Sequence, residues 1–159
     1  TDASLLLPVP GLLGSLAASS DIKIDSINPY ILSLSSPDSG FHGAGSMIRI
    51  NVRFSSDIVV SGSPFLLLET GAVDRIAYYF GMDGTDTLVF QYEVQLGDYT
   101  LRLDYWTSSG VIRKAVSAFD LNGDGSIKRL SLQPMVNADV YLNPSSGYLD
   151  GNCHLLVKE

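Results

Sequence analysis

Residues 46–60, SMIRINVRFSSDIVV, carry the clearest pattern in this chain. Within them Ile48, Ile50, Val52 and Phe54 occupy every second position. A period of two is typical of a strand with one buried face, because successive side chains point to opposite sides of a sheet. A Ser-Gly-Ser-Pro turn follows, and then the apolar run FLLLE at residues 65–69. We expect these two strands to pair and to open a β-sandwich.

Further strand patterns occur at short intervals along the chain, with turn residues between them. The most regular is residues 87–95, where Leu88, Phe90, Tyr92 and Val94 fall on one face. The other candidates are residues 30–35, 75–80, 101–105, 138–142 and 155–157, and a hairpin at 121–132 around the turn Asn-Gly-Asp-Gly. Residues 111–119 are ambiguous. No segment of useful length has the period of a helix, so the sequence predicts an all-β chain.

Composition limits the partners of the chain. Its 159 residues suffice for one domain, or for one domain and a fragment of another. Seventeen acidic against 10 basic residues give a net charge of −7, which disfavours nucleic acid and anionic membranes because both are bound by clustered Lys and Arg. The apolar residues 5–18 are too short to span a bilayer and contain two prolines, so we expect no membrane insertion. An acidic, Ser- and Gly-rich surface suits an extracellular or cell-surface protein.

Three short blocks near the N terminus recur in the same order near the C terminus. Residues 3–7, 14–16 and 22–24 resemble residues 138–142, 147–149 and 155–157, at offsets of 135, 133 and 133 positions. Self-similarity at this spacing indicates a repeat of domain size. We therefore interpret residues 1–26 as the C-terminal hairpin of a preceding repeat and residues 27–159 as one complete repeat.

A hairpin with a strongly apolar face needs a partner, because two strands alone are marginally stable in water. We expect residues 1–26 to contact a neighbouring repeat or another copy of the chain. The apolar side chains that would make these contacts are Leu5, Leu6, Leu7, Leu16, Ile22 and Ile24. The single cysteine, Cys153, excludes an internal disulfide. It is either a small buried apolar residue or a link to another repeat or chain.

Several motifs resemble a known family. They are SSPD at 35–38, INVRFS at 50–55, VSGSP at 60–64, LLETG at 67–71, TDTLVFQYEVQ at 85–95 and GDY at 97–99. Together they resemble the tandem Ig-like repeats of very large bacterial surface proteins, both adhesins and motility-associated proteins, and similar repeats of giant secreted algal proteins. Residues 5–25 resemble the end motif of such repeats. The C-terminal copy departs from that motif at residues 143–146, NPSS.

The resemblance implies an immunoglobulin-like Greek-key β-sandwich that forms one bead of a tandem array. It implies a non-enzymatic module that builds or spaces a long extracellular filament or cell-surface stalk, such as an adhesin, a motility surface protein or a flagellar-hair (mastigoneme) shaft. It brings no catalytic residues with it. The sequence itself has no Gly-x-Ser-x-Gly motif. Cys153 and His154 are neighbours that would face opposite sides of a strand, so they do not suit a catalytic pair.

Two alternatives concern ligand binding. Asp120, Asn122 and Asp124 have the spacing of the first half of a calcium loop, although position twelve is Ser131, which has no carboxylate. The same residues also suit a tight turn without metal. The second alternative is a carbohydrate-binding surface made of exposed aromatic rings, for which Tyr79 and Trp106 are the candidates. Alternating strands point about half of the aromatic rings inward, so we prefer to interpret most of them as core or cross-strand pairs.

Overall fold

The computed structural model describes residues 6–106, 118–131, 135–142 and 155–157. In this part of the chain the structure is nearly all-β, as predicted, with a single helical turn. The elements are α1 (Leu16–Ser19), β1 (Ile31–Ser35), β2 (Gly40–His42), β3 (Met47–Phe54), β4 (Ile58–Ser61), β5 (Phe65–Glu69), β6 (Arg75–Asp83), β7 (Thr87–Glu93), β8 (Asp104–Tyr105), β9 (Phe119–Asp120), β10 (Ser126–Arg129) and β11 (Leu155–Val157).

Most of the strands form one curled antiparallel sheet, in the order β1-β3-β7-β6-β5-β8, with β9 also paired to β5. Two small sheets accompany it. Strands β4 and β10 pair in antiparallel fashion, and β2 and β11 pair in parallel. A parallel pair cannot be joined by a tight turn, so β2 and β11 come together from distant parts of the chain.

The alternating residues of β3 and β7 form the centre of the core, as their pattern predicts. Ile50 lies opposite Phe90, and Val52 lies opposite Leu88. All four side chains are fully buried. Phe90 makes an edge-to-face contact with Phe119 of β9 at a centroid distance of 5.5 Å, which connects the middle of the sheet to its far edge.

The predicted pairing of the first two strands is wrong. Strand β3 pairs with β1 and β7, which occupy both of its edges, and β5 pairs with β6, β8 and β9. The intervening strand β4 leaves the main sheet and pairs with β10. Alternation shows that a segment is a strand but does not identify its partner, which is why both strands were predicted correctly and their contact was not.

The hairpin predicted at residues 121–132 is also wrong. Strands β9 and β10 do not pair with each other, because β9 joins β5 and β10 joins β4. Residues 62–64 and 121–125 therefore run side by side from one sheet to the other. A methyl group on Gly62 would lie 2.9 Å from the Gly125 Cα, and one on Gly125 would collide with the carbonyl oxygen of Leu121. Gly62 is therefore needed for the close approach of the two segments, and Gly125 is needed for the turn within residues 121–125.

Other strand boundaries differ from the sequence prediction. Strand β6 continues beyond Phe80 to Asp83 because a bulge between Tyr79 and Gly81 adjusts its register against β7. The strand predicted at 101–105 is reduced to β8, and residues 138–142 contribute an isolated bridge from Asp139 to Tyr30. Residues 111–117 of the ambiguous segment lie outside the described residues.

Residues 6–29, here called the N-terminal arm, contain no strand. Their one regular element is the helical turn Leu16–Ser19, where the Ser15 Oγ accepts a hydrogen bond from the Ala18 amide at 3.3 Å. The hairpin predicted for residues 1–26 is therefore not formed within the described part of this single chain. Its formation against a partner stays a prediction.

Candidate functional site

The N-terminal arm exposes nearly all of its large apolar side chains. Leu7 is 89% exposed and Ile24 is 93% exposed, and Leu6, Leu16 and Ile22 are exposed as well. Exposed apolar residues are ordinary when scattered, but a continuous series of them is typical of an interaction surface. Leu5, the remaining arm residue predicted to make contacts, lies outside the described residues.

One charged pair ties the base of the arm to the body of the domain. The Asp25 carboxylate lies 2.6 Å from the Arg129 guanidinium, and Arg129 also donates a hydrogen bond of 3.2 Å to the carbonyl of Ile27. The hydrogen bond from Arg129, together with one from the Ile27 amide, holds the pKa of Asp25 below its usual value. Just beyond the pair, the Asp139 amide donates to the Pro29 carbonyl at 2.7 Å. The arm is thus fixed at its base.

The C-terminal copy of the repeated blocks has a different environment from the arm. Leu142 is buried, and Ala138 and Val140 pack against the core. Strand β11 is paired with β2, residue Leu155 opposite Gly40 and Val157 opposite His42. The same sequence pattern is therefore integrated into the domain at one end of the chain and exposed to solvent at the other. Cys153 lies outside the described residues.

The predicted calcium residues lie in the crossing between the two sheets. The Asp120 Oδ1 accepts the Asn122 amide at 2.6 Å, and the Asn122 Nδ2 donates to the Ser63 carbonyl at 3.3 Å. Asn122 adopts a left-handed conformation with φ 59°. In the described part of the chain no group of three His, Cys, Asp or Glu side chains is placed to hold a metal ion. Calcium coordination by Asp120, Asn122 and Asp124 stays a prediction.

Tyr79 and Trp106, the candidates for an exposed aromatic surface, are both partly buried, in agreement with the preferred interpretation of the aromatic residues as core. Tyr79 points into the domain, where its ring contacts Phe90 edge-on at 6.1 Å, and Trp106 packs against the core. The neighbouring Tyr78 is 67% exposed instead. Strand parity gives the reason, because Ala77 and Tyr79 lie on the buried face of β6 and Tyr78 lies on the outer face.

A groove of about 450 Å³ runs beside Tyr78 on the outer face of β3, β7 and β6. It is lined by Met47, Arg75, Ile76, Tyr78, Gln91, Tyr92, Glu93 and Gln95. The lining residues thus include one exposed tyrosine, one arginine, two glutamines and one glutamate. No pattern in the sequence predicted this groove, although the exposed positions of 87–95 supply two of its polar groups.

Beneath one end of the groove lies a buried acid, Asp98, with 1% of its side chain exposed. Its carboxylate accepts the Tyr92 hydroxyl at 2.6 Å, the Arg75 Nε at 2.8 Å and the Gln95 amide at 2.8 Å. Burial by itself would raise the pKa of Asp98. The three hydrogen bonds together lower this pKa by more than burial raises it, so it lies below its usual value. Burial and the Asp98 contact raise the pKa of Tyr92. Asp98 therefore stays ionised and orients Arg75 at the groove.

Comparisons of this chain with protein-family models, with curated proteins and with solved structures give no match. In the part of the chain that the structure describes, no helix has the length and apolar character needed to cross a membrane. The fold defines the class of this protein as a nearly all-β domain built on a curled antiparallel sheet.

Proposed function

We propose that this chain is one module of a tandem array of Ig-like β-sandwich domains, with a non-enzymatic, structural role. The observation that carries the proposal is the contrast between the two ends of the chain. Blocks of the N-terminal arm are exposed, whereas the corresponding residues 138–142 and 155–157 belong to the domain. An apolar segment with the sequence of a domain edge, but with no domain to cover it, implies a neighbour of the same kind.

The proposed mechanism is mechanical. Hydrogen-bonded strands pass load between the ends of the domain, and the Asp25–Arg129 pair restricts bending where the arm meets the body. Such a module spaces or stiffens a long assembly. An extracellular filament or cell-surface stalk, as in an adhesin, a motility surface protein or a flagellar hair, fits the acidic composition and the family resemblance.

A tandem chain tests the proposal. It consists of residues 1–159 followed directly by residues 27–159. The second copy then begins in phase, where the next 133-residue repeat would begin. Pulled in a single-molecule force experiment, this chain is expected to give two similar cooperative unfolding events, each lengthening the chain by roughly 450 Å. The single chain of 159 residues is the control and should give one such event.

A second tandem chain, in which a flexible Gly/Ser linker of about 20 residues separates the two copies, measures the stiffness of the joint. The in-phase chain is expected to have a narrower distribution of end-to-end distances by small-angle scattering. One merged or gradual unfolding event, or an in-phase joint as flexible as the Gly/Ser linker, would overturn the proposal.

The groove beside Tyr78 favours a second candidate function, carbohydrate binding. Aromatic rings stack on sugar faces, and planar amide, carboxylate and guanidinium groups bind hydroxyls, so Tyr78, Gln91, Glu93 and Arg75 offer suitable chemistry. A glycan array probed with the parent chain and with Tyr78→Ala tests this function. Tyr99→Ala, which removes another exposed ring outside the groove, is the matched control. Glycan binding that is unchanged by Tyr78→Ala would exclude the groove as the binding site.

A further inference from the structure

We propose that residues 22–24 of the N-terminal arm pair in parallel with the Gly40–His42 strand of a second domain of this type. This inference rests on the proposed tandem array and identifies the contact that would join its members. In the expected register Ile22 lies opposite Gly40, Lys23 opposite Phe41 and Ile24 opposite His42 of the second domain. The arm would thus supply the neighbouring domain with its closing strand.

The equivalent residues of this domain already form such a pair. Residues 22–24 correspond to Leu155–Val157 at an offset of 133 positions. Leu155–Val157 form β11, which pairs in parallel with β2, and Gly40, Phe41 and His42 lie opposite its three residues in order. The register proposed between the two domains is the register already present within one.

Strand β2 needs a partner strand, and the arm can supply one. In the described part of the chain β2 pairs with β11 alone, so without a closing strand its backbone hydrogen-bonding groups would be left without a strand partner. The arm has the complementary deficiency, because no strand occurs between Leu6 and Pro29 and both Ile22 and Ile24 are exposed. If the arm adds as an extended strand to an open β2 edge, the backbone groups of β2 gain hydrogen-bond partners and the arm gains a strand to pair with.

In this register the arm cannot close on its own domain. The only β2 strand of this chain is already paired with β11 over all three of its residues. The contacts of Asp25 and Ile27 with Arg129 fix the base of the arm immediately after residues 22–24. The acceptor must therefore be a β2 strand from another domain, one that lacks its own closing strand.

The full-length chain with Leu156→Pro tests the pairing, because proline in the middle of β11 removes a donor and opens the β2 edge. We expect this variant to self-associate in sedimentation velocity as arms enter the open edges of other copies. Addition of Ile22→Asp and Ile24→Asp to the same chain should return it to a monomer. Association that is unchanged by these two substitutions, or a Leu156→Pro chain that stays monomeric, would overturn the proposal.

A peptide of residues 1–26 gives a second readout, which also covers a Leu156→Pro chain that fails to fold alone. Added to the triple variant Leu156→Pro, Ile22→Asp, Ile24→Asp, the peptide is expected to raise the melting midpoint or restore a cooperative melt. A peptide carrying Ile22→Asp and Ile24→Asp should have no effect. Equal effects of the two peptides, or none from either, would refute the pairing. The tandem-chain experiment is independent of this contact, so the two proposals can fail separately.

Discussion

The Asp25 carboxylate lies 2.6 Å from the guanidinium of Arg129 and joins the exposed N-terminal arm to strand β10. A second acid of the arm, Asp21, forms an ion pair with Lys23 at 3.5 Å, and both of these side chains are more than four-fifths exposed. Asp25 therefore connects the arm to the body of the domain, whereas Asp21 pairs with a residue of the arm itself.

Asp25→Ala is expected to loosen the base of the arm, whereas Asp21→Ala should leave it unchanged. Removal of the carboxylate takes away both the Arg129 contact and the hydrogen bond from the Ile27 amide at 3.1 Å. NMR relaxation of the backbone amides of residues 25–28 measures the effect, and we expect faster motion in Asp25→Ala only. Equal mobility in the two variants would show that the pair does not fix the arm.

The buried Asp98 is expected to be a major source of stability. Asp98→Asn should lower the free energy of unfolding by about 2–3 kcal/mol, because it removes a charge that accepts three hydrogen bonds. Tyr92→Phe should cost about 1–2 kcal/mol. Urea denaturation of both single variants and the double variant gives their coupling. If the stability loss of the double variant equals the sum of the two single losses, Tyr92 and Asp98 are not coupled and their hydrogen bond is not the source of the stability.

The same two residues predict the pH dependence of stability. The pKa of Asp98 is lowered on folding, so its contribution is present above about pH 4 and is lost as the pH falls through the folded-state pKa. The pKa of Tyr92 is raised on folding, so its contribution is lost as the pH rises above about 10. Melting midpoints across pH should therefore show an alkaline decline that is reduced in Tyr92→Phe. An identical alkaline decline in the variant would contradict this assignment.

Where residues 62–64 and 121–125 run side by side, a Gly→Ala substitution is expected to lower stability more than the same substitution at an open position. Gly125→Ala should cost about 2–3 kcal/mol, because its methyl group meets the Leu121 carbonyl and the chain at Ser61. Gly81→Ala is the matched control, since nothing lies within 4 Å of the added methyl group and the backbone there is not left-handed. Thermal denaturation compares the two. A Gly125→Ala chain as stable as the control would mean that the turn at residues 121–125 rearranges readily to admit the methyl group.

The calcium prediction has a direct test at this same crossing. If Asp120 and Asp124 hold calcium in the folded state, millimolar calcium raises the melting midpoint of the parent chain through binding linkage. The variant Asp120→Asn, Asp124→Asn should abolish that rise. An unchanged midpoint of the parent chain would rule out calcium here and leave the Asx turn from Asp120 to the Asn122 amide as the role of these residues.

Local patterns predicted the strands more successfully than their partners. The alternation in β3 and β7 depends only on which side chains face the core, and the structure buries those side chains as predicted. The partner of a strand depends on contacts between distant segments, so the departure of β4 toward β10 could not be read from residues 58–61 alone. Which of Tyr78 and Tyr79 is exposed depends on long-range contacts in the same way, because strand parity is set by the whole sheet.

The outer-face groove and its buried acid were beyond sequence reasoning. Asp98 follows Gly97 in a turn, where an aspartate ordinarily faces solvent. Its burial results from three donors that converge on it from β6, β7 and the turn itself. Convergence of this kind is a property of the packed sheet, and no spacing along the chain encodes it.

The sequence by itself determined the all-β character of this protein, the core positions of its central strands and the recurrence of its terminal blocks, because each of these is a periodic feature of the chain. The tertiary structure alone decided which strands pair, how β4–β5 and β9–β10 cross together between the sheets, and that one copy of the terminal blocks is integrated while the other is exposed. These outcomes depend on competition among segments for the same sheet edges, and that competition is resolved only when the whole chain packs.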